Sequence, residues 1–190
     1  AQGISTIDPC EGVTPIANIV DDFECQRNYT VFYGGDELEV VANPQLNTDN
    51  NSLKVGEYTD LANSPWSGLG FQSVQPIDIS VFNQLSVQVW SSIAVPVMFK
   101  LQNGTGQATE IWSEISEPNS WQKFVIDFSA PLGSDYKEVV IFFDGGVSDP
   151  VEHTYYVDNV RWRRVSYNGC VDDHETTNNT ISNWKYFANG

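Results

Sequence analysis

The sequence predicts an all-β protein, an antiparallel β-sandwich of the jelly-roll kind with about 10–11 strands. Three observations lead there. Helical periodicity is nearly absent. Apolar residues fall in short runs, alternating or continuous. Gly, Pro, Asn and Asp break those runs at close intervals.

In chain order, 18–24, 29–33 and 37–42 form the first strands, with Gly34-Gly35 as the turn between the second and third. Asn43-Pro44 ends the third and leads to 52–59, then 67–72. In 84–91, Leu85, Val87 and Val89 share one face and leave Gln88 and Trp90 on the other, as a two-residue period requires. In 95–102, Val97, Phe99 and Leu101 oppose Met98, Lys100 and Gln102. After Asn103-Gly104, the run 108–113 puts Ile111 in the core and turns Glu110 and Trp112 outward. Pro118-Asn119 precedes 121–128, where Phe124, Ile126 and Phe128 face the core against Trp121, Lys123 and Asp127. The last strands are 137–143 and 154–164, with Gly145-Gly146 between them. The non-core faces of three consecutive strands are thereby expected to share two tryptophans, a lysine, two glutamines and a glutamate.

A chain of 190 residues suffices for one substantial core, or for one domain and a fragment. Acids outnumber bases 25 to 9, for a net charge of −16. Such a surface repels phosphate backbones, anionic membranes and sulfated or uronate-rich polysaccharides, and leaves neutral ligands and divalent cations as natural partners. No apolar run is long enough to insert in a bilayer. The chain opens on AQGISTIDP with no signal-peptide pattern, so any leader is expected to have been removed or to lie outside this sequence. The composition suits an exported, extracellular or cell-surface protein, and a monomer is expected. Cys10, Cys25 and Cys170 form no CxxC and no zinc pattern, which leaves one disulfide plus one free thiol, or three thiols.

No catalytic constellation stands out. His153 and His174 read as surface residues, and paired carboxylates are common in so acidic a chain. Glu110 and Glu114 of EIWSE share a strand face, without the central aspartate of the signature carried by jelly-roll glucanases. Oxygen-rich clusters suit calcium better: Asp21, Asp22 and Glu24; Asp49, Asn50 and Asn51; and the Asp158-Asn159 pair inside apolar YYVDNVRW. The alternative for Asp158 is a solvated edge residue.

Trp90 and Trp112 beside Gln88, Lys100, Gln102 and Glu110, with Trp66 at the rim, have the chemistry of a glycan site. Pyranose CH faces stack on aromatic rings, and hydroxyls bond to amides and charged groups. The alternative is rings packed under loops and a structural Lys100–Glu110 ion pair.

In order along the chain, VDDFE (20–24), VVANP (40–44), NNSLKV (50–55), PWSG (65–68), MFKLQNG (98–104), WQKFVIDFS (121–129) and TYYVDNVRW (154–162) cover nearly all of 18–165. This set resembles carbohydrate-binding modules of the galactose-binding-like jelly-roll class, found in polysaccharide-degrading enzymes and surface glycan-binding proteins of marine Bacteroidetes. The resemblance implies a non-catalytic module that binds a neutral polysaccharide, here a laminarin-like β-1,3-glucan, on a concave sheet or at the rim. It also implies a structural calcium held by Glu24 and Asp158, with Asp22 and Asn50 adding oxygens. With the first and last strands antiparallel and Glu24 opposite Asp158, it further implies a Cys10–Cys170 disulfide and an unpaired Cys25. A jelly-roll glycoside hydrolase or polysaccharide lyase, and a structural or adhesive spacer, are the competing readings.

The expected organisation is a lead-in at 1–17, the sandwich at 18–166, and a linker at 167–190 that opens a second tandem module. The last assignment rests on VDDHETTNN (171–179) repeating VDDFECQRN (20–28). Other modules of the same polypeptide are thus expected partners.

Overall fold

A computed structural model describes residues 9–104, 108–129, 135–165 and 171–172. The described residues contain twelve strands and no helix. They are β1 Ile19–Asp21, β2 Thr30–Tyr33, β3 Leu38–Ala42, β4 Lys54–Asp60, β5 Leu69–Gln72, β6 Gln84–Ser91, β7 Val95–Gln102, β8 Ala108–Ile115, β9 Ser120–Asp127, β10 Glu138–Phe143, β11 His153–Val165 and β12 Val171–Asp172. Each of the eleven expected strands has its counterpart, and β12 is additional.

All pairings are antiparallel and make two sheets. The seven-stranded sheet runs β3-β4-β11-β6-β9, with β1 and β12 also paired to β11. The five-stranded sheet runs β2-β5-β10-β7-β8. The core between them contains Tyr58, Leu85, Val87, Val89, Tyr155 and Val157 from the first sheet, and Leu69, Phe71, Val97, Phe99, Val139 and Ile141 from the second. These are the inward positions of the period-two pattern.

Two bulges re-aim side chains. In β2 the register slips between Val31 and Tyr33, so Phe32 and Tyr33 both lie over Gly70 of β5. A Cβ on Gly70 would come within 2.7 Å of the Phe32 ring, so this strand needs a glycine there. In β11 the register slips between Asp158 and Arg161 around Asn159, whose φ is +51°. Tyr155 and Val157 point inward before the bulge, and Val160 and Trp162 do so after it.

The disulfide differs from the expectation. Cys10 is bonded to Cys25, with their Cα atoms 5.1 Å apart. The β1–β11 ladder starts only at Ile19, opposite Arg161. Ahead of it the chain turns: Val13 N donates to Cys10 O and Ile19 N to Ile16 O. Residues 10–16 lie against the loop after β1, where Ile16 N donates to Gln26 Oε1 and Gln26 Nε2 to Thr14 O. An Asp21–Arg27 bridge closes that loop and brings Cys25 back to Cys10. Farther along β11, Arg164 and Val165 are paired by β12. Cys170 lies outside the described residues, as does the repeat beyond Asp172.

Candidate functional site

The sandwich has two outer faces, and the expected glycan residues are divided between them. The connection 92–94 crosses from one sheet to the other. Trp90 and Gln88 on β6 therefore lie on the seven-stranded sheet, while Lys100, Gln102, Glu110 and Trp112 on β7 and β8 lie on the five-stranded one. The expectation of one shared face is corrected accordingly.

On the seven-stranded sheet, the loop 43–53 between β3 and β4 covers the tryptophans. Trp90 Nε1 donates to Gln45 Oε1 and Trp121 Nε1 to Gln45 O, both at 3.0 Å. Trp90 also meets Tyr156 edge to face. Gln88 Nε2 donates to Asp49 O, and its Oε1 accepts from Asn159 Nδ2 at 2.7 Å. These polar groups are used in holding the loop down.

The five-stranded sheet is open. Phe142, Met98 and Trp112 stand side by side in register on β10, β7 and β8. One step along the strands come Val140, Lys100 and Glu110, with Lys100 Nζ 2.9 Å from Glu110 Oε1. One step further, Glu138 Oε1 accepts from Gln72 Nε2, while its Oε2 accepts from Gln102 Nε2 and Gly104 N. Trp66, on the loop after β4, lies edge-on to Phe142 at 6.0 Å, and the Tyr33 ring is tilted against Phe142 at 6.1 Å. Tyr33 Oη donates to Trp66 O. A depression of about 330 Å³ opens between Tyr33, Trp66, Met98, Lys100, Glu110 and Phe142. A Cβ on Gly145 would touch both Trp66 and Trp112, so the two indoles converge at the end of β10.

Exposure separates the faces. Among the described residues the exposed aromatic rings are Phe32 (39%), Tyr33 (40%), Trp66 (52%) and Trp112 (50%). All four stand on or over the five-stranded sheet, from its β2 edge to its β8 edge. That width is four strand spacings, roughly 19 Å. Phe32, Tyr33 and Phe142, and the polar residues Gln72 and Glu138, were not singled out from the sequence, and Met98 was placed on the outward face without a role. Gly68 and Gly70, alternating with core-facing Leu69 and Phe71, were the available signal that large side chains lie across β5.

The expected calcium residues are partly assembled. Asp158 is fully buried under the loop 43–53, where its Oδ2 accepts from Asn50 Nδ2 at 2.8 Å. Burial raises its carboxyl to about 6, and the nearby Glu24 carboxylate adds repulsion. Glu24 Oε1 accepts from Leu53 N and Lys54 N, which brings it to the same loop. Glu24 itself stays exposed, while Asp158 also accepts from Asn159 N and Asn159 Nδ2, so N–H donors already occupy both of its oxygens. Asp22 is turned away, its Oδ1 capping Glu24 N and Gln26 N. Asn50 presents its amide nitrogen to Asp158, while its Oδ1 accepts from Asn43 Nδ2 and Ser52 N. Among the described residues no three Asp, Glu, His or Cys groups gather as a metal cluster. His153 is paired with Asp149 at 3.1 Å, and His174 lies outside the described residues.

No family model and no curated protein matches the chain in sequence. Solved structures match it in fold. An exo-β-agarase superposes with a TM-score of 0.58 at 10% identity, over 80% of this chain and 25% of that one. The CBM22-1 and GH10 modules of Clostridium thermocellum xylanase 10B, complexed with xylohexaose, give 0.54 at 15% identity, over 77% and 28%. SGBP-B from a complex xyloglucan utilization locus in Bacteroides uniformis gives 0.52 at 15%, over 78% and 50%. The chain thus spans between a quarter and a half of these proteins, and what it shares with them is the fold.

Proposed function

We propose that this chain is a non-catalytic glycan-binding module, one unit of a larger exported or cell-surface protein. The observation that carries the reading is the gathering of Phe32, Tyr33, Trp66 and Trp112 on a single sheet face. Exposed aromatics confined to one face are the signature of a binding surface. Sugar rings stack on these groups, and the Lys100–Glu110 pair beside them offers a donor and an acceptor to hydroxyls. A net charge of −16 favours a neutral polysaccharide, with a laminarin-like β-1,3-glucan as the ligand of choice. The agarase, xylanase and xyloglucan-locus proteins that share the fold are consistent with a glycan ligand. The Cys10–Cys25 bond suits an oxidising compartment.

Calcium, in this reading, serves the fold. Glu24 and Asp158 would hold it, neutralising an exposed and a buried carboxylate beside the loop 43–53. A chelator is then expected to lower the melting temperature, and an unchanged value would remove the metal from the proposal.

Affinity electrophoresis against laminarin, xylan, xyloglucan, agarose and an anionic alginate tests the function. Retardation by laminarin or another neutral glycan is expected. Trp66→Ala and Trp112→Ala should each weaken it about tenfold, the order of one lost stacking contact. Retardation by none of the five would sink the binding reading.

A further inference from the structure

Behind the aromatic face, where the two sheets meet at one rim, a second group of side chains is gathered. Asp60 ends β4 opposite His153 of β11. Asp144 follows β10 with φ +53°, and Asp149 lies in the connection that leads to β11. Asp60 Oδ1 is buried without a hydrogen-bond partner, and so is the hydroxyl of Tyr155, a residue with no exposure at all. Its hydroxyl feels the charges of Asp60, Asp144 and Asp149. The groups acting on Asp60 are Ser67 from the loop after β4, Asp144 and Asp149 from the β10–β11 connection, and His153 from β11. Only His153 attracts it by charge, and His153 is already paired with Asp149.

These groups root the loops that shape the glycan face. The 61–68 loop, which begins at Asp60, carries Trp66. The 144–149 segment, which begins at Asp144, carries Gly145, against which Trp66 and Trp112 converge. The two loops are joined by Gly146 N to Pro65 O and Asn63 N to Asp149 O, both at 2.6 Å. Ser67 Oγ, bonded to Tyr58 Oη at 2.6 Å, ties the first loop to the core. Repulsion between carboxylates at the two roots acts directly against those bonds.

From this arrangement we propose that Asp60 is a proton switch for the aromatic face: taking up a proton tightens the 61–68 and 144–149 loops and strengthens glycan binding. The proposal rests on the glycan-binding reading for its output, though not for its mechanism. A neutral carboxyl removes the charge from a buried, unpartnered oxygen, and it ends the repulsion from Asp144 and Asp149. Burial first, and then Asp144, raise the Asp60 carboxyl to about 6, so the change falls in mildly acidic conditions.

The test is amide hydrogen exchange of residues 61–68 and 144–149, with laminarin titrations, at pH 8 and pH 5. Wild type is compared with Asp60→Asn and Asp144→Asn at each pH, so that intrinsic exchange chemistry cancels. At pH 8 the wild-type loops should exchange faster than those of Asp60→Asn, and at pH 5 the two should match. Laminarin affinity of the wild type should rise about fivefold from pH 8 to pH 5, the low end of typical coupling. Asp60→Asn should bind at the tighter level throughout, and Asp144→Asn should move the transition to lower pH. Equal loop exchange in wild type and Asp60→Asn at both pH values would overturn the switch, as would an unchanged affinity profile in Asp60→Asn. If the loops respond but no glycan is bound at either pH, the switch stands and the glycan reading falls.

Discussion

The two outer faces carry similar side chains and put them to different uses. On the seven-stranded sheet, Trp90 and Trp121 lie under the loop 43–53 and give their indole N–H groups to Gln45. On the five-stranded sheet, Trp66 and Trp112 stand half-exposed beside an ion pair. The residue types and their strand spacing are alike; the covering loop makes the difference. A tryptophan at an outward strand position is thus a stability element or a binding element according to what a distant segment does above it.

Substitutions can break this contrast. The largest effect is expected from Trp121→Ala, which should cost about 3–5 kcal/mol of unfolding free energy, since the ring is only 6% exposed. Trp112→Ala should change stability by about 0.5 kcal/mol or less. Chemical denaturation of both variants checks the pair, and a reversed order would refute the assignment of the faces.

Next in size is the pH response beneath the covering loop. Asp158 has a folded-state value of about 6 against an ordinary 3.8. Its charge therefore opposes folding above pH 6, and that penalty disappears as pH falls from about 7 toward 4. In chelator, stability should rise over this window by up to about 3 kcal/mol, and Asp158→Asn should flatten the rise. If Glu24 and Asp158 hold calcium, saturating calcium should reverse the sign, because protons then compete with the metal. Melting curves across pH, with and without calcium, decide this.

The smallest effect belongs to the open face. Lys100→Ala should cost less than about 1 kcal/mol in stability, because Glu110 is 46% exposed and the pair is screened. A larger loss would mean that the pair serves the fold, as Trp121 does, and would blur the contrast between the faces.

The local structure was legible because burial alternates with the pleat. Phe124 and Ile126, or Val97, Phe99 and Leu101, announce their strands and their inward faces without any tertiary knowledge. The sheet to which a strand belongs was not legible. β6 and β7 are separated by the three residues 92–94, a spacing that reads as a hairpin, yet the chain changes sheets there. That one crossing moved Trp90 and Gln88 away from Trp112. The cysteine pairing failed for a related reason. An antiparallel ladder can be extrapolated only while the chain stays extended, and this chain turns at Ile16–Ile19. Tyr33 reached the site through a bulge, which adds one residue and leaves no mark in a two-residue period.

The Cys10–Cys25 bond has a mechanical consequence. Residues 11–24, including all of β1, lie inside a covalent loop. Tension applied to the chain ahead of Cys10 passes across the sulfurs to Cys25 and bypasses β1. Val20, Phe23 and Glu24 are sheltered from that load, and the first structure to feel a pull is the segment 26–33. That segment ends in Phe32 and Tyr33, so force from this end arrives first at the edge of the open aromatic face.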